Sequence, residues 1–371
     1  MSAGEALRAS RLTVKIGSSL LVREDGSLRR VWLDALARDI ARLRGRGQEV
    51  MVVTSGAIAL GWRALGLARR PVKLEEKQAA AAAGQILLAR GWQESLAGVG
   101  LTTAQILVTL EDTESRRRYL NGRATLATLL RLGAVPVVNE NDTVGTAEIR
   151  FGDNDRLSAR VAVMASAETL VLLSDVDGLY TANPASDPSA RHLPVVATVT
   201  PEIEAMAGGS VSAVGTGGMV SKLEAARIAT RSGCTVVLGK GTLEQPLSAL
   251  ENGGRCTLFP AQTSLMGARK DWISGSLGVM GSVHVDAGAV AALRRGSSLL
   301  PAGVTRVEGA FERGDAVLVR TPEGRALAKG LCAYDAPEAC RIAGRRTAEI
   351  EALLGYRGRE VMIHRDDLVL L

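Results

Sequence analysis

Short apolar runs alternate with longer stretches of helical character from the start of the chain to about Lys240. The runs are rich in β-branched residues or leucine, which favour strands. Their alternation with helices is typical of a parallel sheet that is covered on both faces. The predicted strands are Leu12–Ile16, Glu49–Thr54, Val135–Asn139, Thr169–Ser174 and Thr235–Leu238.

A polar or glycine-rich turn follows each of the first four predicted strands. In open α/β sheets, ligands bind outside the carboxyl ends of the strands. Four such turns at one edge therefore indicate a binding site. The turns are Gly17-Ser18-Ser19, Ser55-Gly56-Ala57, Glu140-Asn141-Asp142 and Asp175-Val176-Asp177-Gly178.

The pattern changes in the last quarter of the chain, where the apolar runs are short, alternating and separated by glycines. This pattern predicts a small β-rich domain with one helix over Ala336–Ala343. We expect a large α/β domain over residues 1–265, a linker over 266–280 and the β-rich domain over 281–371. The runs are Val283–Val285, Val304–Val307, Ala316–Val319 and Val361–Ile363.

Composition excludes several classes of protein. With 46% hydrophobic and 23% charged residues, the 371-residue chain has the balance of a folded protein. Met1–Arg11 lacks the apolar run of a signal peptide, and no stretch approaches the ~18 apolar residues of a membrane helix. We therefore expect a cytoplasmic protein with no membrane partner.

The cysteines and histidines do not indicate a catalytic or metal centre. The four cysteines have no C-x-x-C spacing, and the three histidines lie far apart. These spacings predict neither zinc nor a disulfide scaffold, so no metal site is expected in the protein itself. The chemistry must rest on lysines and carboxylates.

The net charge of +6 is not concentrated in the second domain, which has 13 Lys or Arg against 12 Asp or Glu from Gly281 onward. An anionic small substrate in the first domain explains the excess equally well. This balance makes RNA an unlikely partner, because nonspecific affinity for nucleic acid comes largely from phosphate contacts.

Two lysines lie beside segments that can bind phosphate. Lys15 ends the first strand before Gly17-Ser18-Ser19, whose backbone amides can form an anion nest. Lys222 closes the glycine-rich run Gly215–Ser221, which lies before a predicted helix. Gly239-Lys240 does not complete a Walker motif, and Gly215-Thr216-Gly217 fails the dinucleotide fingerprint because Val220 occupies the third glycine position. Taken singly, each lysine could equally be an ordinary surface or loop lysine.

Three polar segments complete the candidate site. Thr54-Ser55-Gly56-Ala57 can hold a carboxylate or phosphate, or can simply cap a helix. Asn139-Glu140-Asn141-Asp142 and Gly152-Asp153-Asn154-Asp155 can bind an ammonium group or orient lysines. Asp155 could instead cap a helix over Leu157–Ala165.

At these residues the sequence resembles the amino acid kinase superfamily, and within it the glutamate 5-kinases. Arg295–Pro301 resembles that family's PUA domain, and the likeness extends from about Leu12 to Arg365. It implies a three-layer α/β fold with an open, mostly parallel sheet, the amino acid kinase fold, followed by a PUA-type domain. The motifs, in the family's order, are Val14–Ser19, Val53–Ile58, Val137–Asp142, Phe151–Asp155 and Gly215–Met219.

The resemblance implies ATP-dependent phosphorylation of the γ-carboxylate of L-glutamate to L-glutamyl 5-phosphate, the first step of proline biosynthesis. Lys15 and Lys222 would contact the transferring phosphate, and Asp155 would orient them. Ser55, Asp142 and Asn154 would bind glutamate, with Asp142 taking its α-ammonium. Magnesium would lie on the nucleotide phosphates. ATP would contact Lys15, Ser174, Asp175, Thr216, Gly217, Gly218, Met219, Val220, Ser221 and Lys222.

The resemblance also predicts an inhibitor and partners, and this sequence departs from the family's pattern at two positions. The resemblance implies inhibition by proline, a homo-oligomer that is a dimer or tetramer, and hand-off of the product to glutamyl phosphate reductase. Ser174 and Ser221 replace the family's usual threonines but keep the hydroxyl. Two alternatives remain: a kinase for another acid, such as N-acetylglutamate or aspartate, or an RNA-binding PUA protein.

Overall fold

The computed structural model describes residues 1–145, 154–207, 218–275 and 278–371. The chain forms two compact units, Met1–Ser264 and Leu265–Leu371. Residues 266–280, which the sequence predicted as a linker, include regular secondary structure. They carry helix α12 (Leu265–Gly275) and the first residues of a strand that begins at Val279. Ile273 of that helix is fully buried, and the helix packs against the last strands of the second unit.

The first unit is built on a seven-stranded sheet in the order β3-β4-β2-β1-β5-β8-β9. All neighbouring strands run parallel except β8 and β9. The strands of this unit, with a separate two-stranded ribbon β6–β7, are β1 (Arg11–Ile16), β2 (Glu49–Val53), β3 (Thr103–Val108), β4 (Val135–Glu140), β5 (Thr169–Ser174), β6 (Leu179–Tyr180), β7 (His192–Leu193), β8 (Thr235–Lys240) and β9 (Cys256–Phe259).

Helices cover both faces of this sheet. They are α1 (Ala3–Ala6), α2 (Ser18–Leu21), α3 (Arg30–Gly45), α4 (Ala57–Ala64), α5 (Leu74–Ala97), α6 (Leu110–Glu114), α7 (Arg116–Arg131), α8 (Asn154–Met164), α9 (Pro201–Met206), α10 (Met219–Arg231) and α11 (Pro246–Glu251). Alternate strand residues point into opposite cores, as β2 shows: Val50 and Val52 pack with α3 and α5, whereas Met51 and Val53 pack with α7 and α8. The three-layer, mostly parallel architecture predicted from the sequence is confirmed.

Close contact of two helices positions one side of the sheet edge. Gly61 of α4 and Gly84 of α5 face each other, and a Cβ on Gly84 would collide with the carbonyl oxygen of Ala57. Only glycine at both positions lets the two backbones approach this closely. Helix α5 is thereby held against the turn that follows β2.

The second unit contains a five-stranded sheet in the order β11-β10-β12-β13-β14, in which only β10 and β12 run parallel. The predicted small β-rich domain is confirmed. The elements that follow α12 are β10 (Val279–Val285), α13 (Ala287–Arg294), β11 (Val304–Gly309), β12 (Ala316–Arg320), β13 (Ala326–Leu331), α14 (Ala336–Ile342), α15 (Ile350–Leu354) and β14 (Leu368–Leu370), with 3₁₀ turns at Pro301–Gly303, Thr347–Glu349 and Arg365–Asp367.

One predicted strand in this unit is wrong. Val361–Ile363 forms only a single bridge, between Ile363 and Leu299. Met362 and Ile363 are fully buried, and their backbone groups bond to Leu299 and Ala333 from two directions. The apolar run therefore reflects burial in the core of the unit rather than a place in its sheet.

Candidate active site

Lys15 projects from the central strand into the layer that contains α8. It lies on the same side of β1 as Thr13, while Val14 and Ile16 face the opposite core. Only 5% of Lys15 is exposed, so its ammonium group needs a charged or polar neighbour. A Cβ on Gly17 would lie 3.9 Å from Lys15 Nζ, which places the ammonium beside the glycine turn that ends β1.

Asp155, in the first turn of α8, lies between the two lysines. Lys15 Nζ is 2.6 Å from Asp155 Oδ1, and Lys222 Nζ is 3.1 Å from Asp155 Oδ2. Asp155 is completely buried, and Lys222 is 6% exposed. The predicted convergence of these three residues is present, and Asp155 is part of α8 rather than the cap of a later helix.

This arrangement controls the charge of Asp155. Burial raises the pKa of the carboxyl, but the two ammonium groups and the hydrogen bonds from Lys15 and Ser221 outweigh it and lower the pKa to about 2. Asp155 is therefore ionised at neutral pH. In the part of the chain that the structure describes, Asp155 is thus an ionised carboxylate shared by two ammonium groups.

The start of α10 contributes the remaining contacts to this centre. Gly218, in extended conformation, precedes the first turn of the helix. Ser221 Oγ lies 2.9 Å from Asp155 Oδ2 and 2.9 Å from the Gly218 carbonyl oxygen. The serine that replaces the family's usual threonine thus keeps the hydroxyl in contact with the carboxylate. Met219 and Val220 complete this turn, whereas Thr216 and Gly217 lie outside the described residues.

A cluster of amides lies beside the lysine centre. Asn154 Nδ2 is 2.6 Å from the Thr54 carbonyl oxygen, 2.9 Å from Ser55 Oγ and 3.0 Å from Asn139 Oδ1. Asn154 Oδ1 is buried and accepts no hydrogen bond from the described part of the chain. Since Asn154 and Asp155 are consecutive in α8, the amide cluster and the lysine centre are held by one helical turn.

Asp142 follows β4 by two residues, at the same edge of the sheet. Burial raises the pKa of its carboxyl to about 6, because no cation in the described residues compensates the loss of water. Within the described ranges, this carboxylate has no ion pair of the kind that Asp155 has. Asp142 and the amide cluster share the sheet edge but form no hydrogen bond to each other among the described residues.

Ser174 and Asp175 lie on the other side of β1, at the end of β5. Ser174 is buried, and its Oγ donates to Asp175 Oδ1 over 2.9 Å. The Ser174 carbonyl oxygen accepts from Gly241 N, which ties this end of β5 to β8. No hydrogen bond or ion pair in the described part of the chain joins these two residues to the lysine centre.

Sequence reasoning missed the supports of the amide cluster. Asn139 Nδ2 donates to Gln85 Oε1 over 2.7 Å, and Trp92 Nε1 donates to Thr54 Oγ1 over 3.1 Å. Gln85 and Trp92 both lie in α5, whose alanine-rich sequence gives little sign of which face meets the sheet. The polar Gln85 inside an apolar run was the one available signal.

Two negative findings bear on the site. Within residues 1–145, 154–207, 218–275 and 278–371, no three His, Cys, Asp or Glu side chains come together as a set that could hold a metal ion. None of the helices in the described ranges is both long and apolar enough to cross a bilayer.

The comparisons with known proteins agree with the fold. The amino acid kinase family matches residues 10–240, and the PUA domain matches residues 281–354. Glutamate 5-kinase of Paramagnetospirillum magneticum is 60% identical over 363 residues, which cover 98% of this chain and 98% of that protein. Glutamate 5-kinase of a Bradyrhizobium species is 60% identical over 361 residues, which cover 97% of this chain and 96% of that protein.

Among solved structures, carbamate kinase from Giardia lamblia bound to AMP-PNP has a TM-score of 0.50 and 16% identity, covering 69% of this chain and 100% of that chain. At this identity the likeness shows the fold alone. The open sheet and the buried lysine–aspartate centre define an enzyme of the kinase class. The chain belongs to the amino acid kinase family and, within it, to the glutamate 5-kinases, with a PUA domain after the kinase domain.

Proposed function

We propose that the protein transfers the γ-phosphoryl group of ATP to the side-chain carboxylate of free L-glutamate, which yields L-glutamyl 5-phosphate and ADP. The observation that carries the proposal is the pair of buried ammonium groups, Lys15 and Lys222, on the single carboxylate of Asp155. The names of the relatives at 60% identity support glutamate as the acceptor.

Phosphoryl transfer from ATP to a carboxylate is slowed by repulsion between the two anions, and fixed cations reduce that repulsion. A glutamate carboxylate oxygen forms a bond to the γ-phosphorus while the bond to the β–γ bridging oxygen breaks. Negative charge spreads over the transferring group, where preorganised cations stabilise it most effectively. Lys15 and Lys222 are buried and already oriented, so little reorganisation accompanies the reaction.

No general base is required, because the attacking carboxylate is ionised at neutral pH. Asp155, whose pKa is lowered to about 2, is too weak a base for that role in any case. We assign it instead to orienting the two lysines. Because the reaction needs no general base, the proposed site needs no histidine.

Glutamate recognition would use the other half of the sheet edge. Ser55 Oγ accepts from Asn154, which leaves the serine proton available to a substrate carboxylate. The buried Asn154 Oδ1 can accept from a donor on the substrate. Asp142 would pair with the α-ammonium, and that pairing would lower the raised pKa of its carboxyl.

ATP would lie over the ends of β5 and β8, contacting Ser174, Asp175 and the start of α10 at Gly218–Lys222, with Thr216 and Gly217 expected in the same loop. Magnesium would be held by the nucleotide phosphates, in keeping with its tendency to retain water and bind few protein ligands. When bound there, it would supply further neutralisation of phosphate charge.

The finer context is part of the same proposal. The reaction would be the first step of proline biosynthesis in the cytoplasm, and proline would compete in the glutamate pocket. The acyl phosphate product would pass to glutamyl phosphate reductase, and the enzyme would act as a homo-oligomer, a dimer or tetramer. Saturating proline should therefore slow the rate most at low glutamate.

An acyl-phosphate trap tests the reaction and the substrate together. Purified protein, ATP, magnesium and hydroxylamine are combined with glutamate, N-acetylglutamate or aspartate in parallel. We expect hydroxamate only with glutamate. Lys222→Met should abolish it, whereas Lys73→Met, which removes an exposed lysine at the start of α5, should leave it unchanged.

Each other outcome has a definite meaning. Hydroxamate with a different acid would retain the kinase chemistry but refute the assignment of the glutamate pocket. Hydroxamate from Lys222→Met at the wild-type rate would refute the role of the lysine centre. No hydroxamate with any acid would refute the proposed reaction.

A further inference from the structure

The amide cluster has a defined direction of hydrogen bonding. The Thr54 carbonyl oxygen can only accept, so the Asn154 atom that lies 2.6 Å from it must be Nδ2. The same Nδ2 faces Asn139 Oδ1 at 3.0 Å, and Asn139 Nδ2 then faces Gln85 Oε1 at 2.7 Å. Gln85, Asn139 and Asn154 thus form an amide relay that begins at α5 and ends in the candidate glutamate pocket.

The direction of the relay decides what the pocket offers to a ligand. With Nδ2 turned toward Thr54, Asn154 presents its buried Oδ1 as an acceptor. Asn154 Nδ2 shares its two hydrogens among three oxygens, one of which is Ser55 Oγ at 2.9 Å. Since this nitrogen cannot accept, the serine hydroxyl must donate elsewhere. A reversed Asn139 amide would place its Nδ2 against Asn154 Nδ2, two donors facing each other, which is unfavourable in a buried site.

The Thr54 carbonyl oxygen sets this direction at one end of the relay, and Gln85 supports it at the other end by accepting from Asn139. Gln85 follows Gly84, whose backbone lies against α4 so closely that a Cβ would collide with the Ala57 carbonyl oxygen. This contact fixes α5 against the turn that carries Ser55. Asn139 is 2% exposed, so water competes little for its side-chain amide and the bond to Gln85 helps to hold it in place.

We propose that Gln85 is a positioning residue that accepts from Asn139 and so holds Asn139 against Asn154, which keeps Asn154 and Ser55 in the arrangement that binds the amino acid substrate. The inference rests on the proposed glutamate kinase reaction. Among the residues that the structure describes, no hydrogen bond joins the relay to Lys15, Lys222 or Ser174, so Gln85 acts on the acceptor half of the site. Losing its acceptor oxygen should weaken glutamate binding and leave ATP binding unchanged.

The test compares Gln85→Met, which keeps the length of the side chain but removes the acceptor, with Gln85→Glu, which keeps an acceptor oxygen. Gln93→Met, at an exposed position of the same helix, is the matched control. For Gln85→Met we expect the KM for glutamate to rise about fivefold to tenfold, the range set by loss of one hydrogen bond. The KM for ATP should stay within about twofold, and Gln85→Glu should lie closer to the wild type.

A second measurement separates positioning from a general loss of structure. Glutamate should raise the melting temperature of Gln85→Met less than that of the wild type, while ATP should raise both equally. An unchanged KM for glutamate in Gln85→Met, a parallel rise in the KM for ATP, or a Gln85→Glu variant as impaired as Gln85→Met would each overturn the relay. If the wild-type protein formed no glutamyl hydroxamate, the proposed reaction itself would be refuted. The wild type is therefore assayed before the variants, so that failure of the reaction is distinguished from failure of the relay.

Discussion

Replacement of Asp155 by asparagine removes the negative charge between Lys15 and Lys222 and keeps nearly the same shape. Both lysines would lose the counter-charge that lies 2.6 and 3.1 Å away, in a site where the carboxylate is fully buried. Breaking a buried ion pair by removing one partner is costly because the remaining charge stays out of water.

The structure bounds the size of this effect. The pKa of Asp155 falls from 3.8 to about 2, which corresponds to about 2 kcal/mol of stability from the ionised carboxylate. Measured losses on breaking buried pairs are about 3–5 kcal/mol. We therefore expect Asp155→Asn to lose about 2–5 kcal/mol in free energy of unfolding, or about 5–15 °C in melting temperature.

Urea unfolding at several pH values checks this prediction. Because the folded pKa is depressed, the stabilisation is fully present above the unfolded pKa near 4 and is lost as the pH falls toward 2. The difference between wild type and variant should thus be constant above about pH 5 and shrink below it. Inorganic phosphate should stabilise the variant more than the wild type, since an anion can replace the missing carboxylate.

Asp34→Asn provides the control, because Asp34 pairs with Arg30 over 3.1 Å at a site where both side chains are about 40% exposed. Such a pair contributes at most about 1 kcal/mol. If Asp155→Asn were no less stable than Asp34→Asn and showed no added response to phosphate, the carboxylate would not be what holds the lysines in place.

Two further predictions concern the pocket and its support. The raised pKa of Asp142 is about 6. Below about pH 6, kcat/KM for glutamate should therefore fall about tenfold per pH unit, because the carboxyl that would pair with the α-ammonium becomes protonated. Asp142→Asn should be slow and should flatten this profile. Gly84→Ala should cost at least about 2 kcal/mol in urea unfolding because its Cβ meets the Ala57 carbonyl oxygen, whereas Gly45→Ala, with nothing within 4 Å, should be neutral or slightly stabilising.

Burial explains which strands were predictable. The five strands predicted in the first unit, β1, β2, β4, β5 and β8, are buried along almost their whole length and lie inside the sheet. The two that were missed are its edges. Edge strand β3 alternates half-buried and exposed residues, and β9 has only four residues, so neither gives a strong periodic signal.

The site was predictable where its residues belong to motifs and unpredictable where they act through packing. Lys15, Asp155 and Lys222 are far apart in sequence, and the motif order alone indicated that they meet. The support from Gln85 depends on the rotation of α5 about its axis, which is set by the Gly61–Gly84 contact. An alanine-rich helix carries almost no hydrophobic pattern from which that rotation could be inferred.

The position of Asp155 between the lysines also bears on turnover. In the proposed reaction its carboxylate would compete with the phosphates for the same two ammonium groups, and would so limit how tightly the site holds an anion while it keeps both cations oriented. Removing it should tighten phosphate binding and yet slow the reaction, because stronger ground-state binding with poorer orientation does not stabilise the transition state. In the proposed reaction, Asp155 therefore serves both to orient the lysines and to allow ADP and the acyl phosphate to leave.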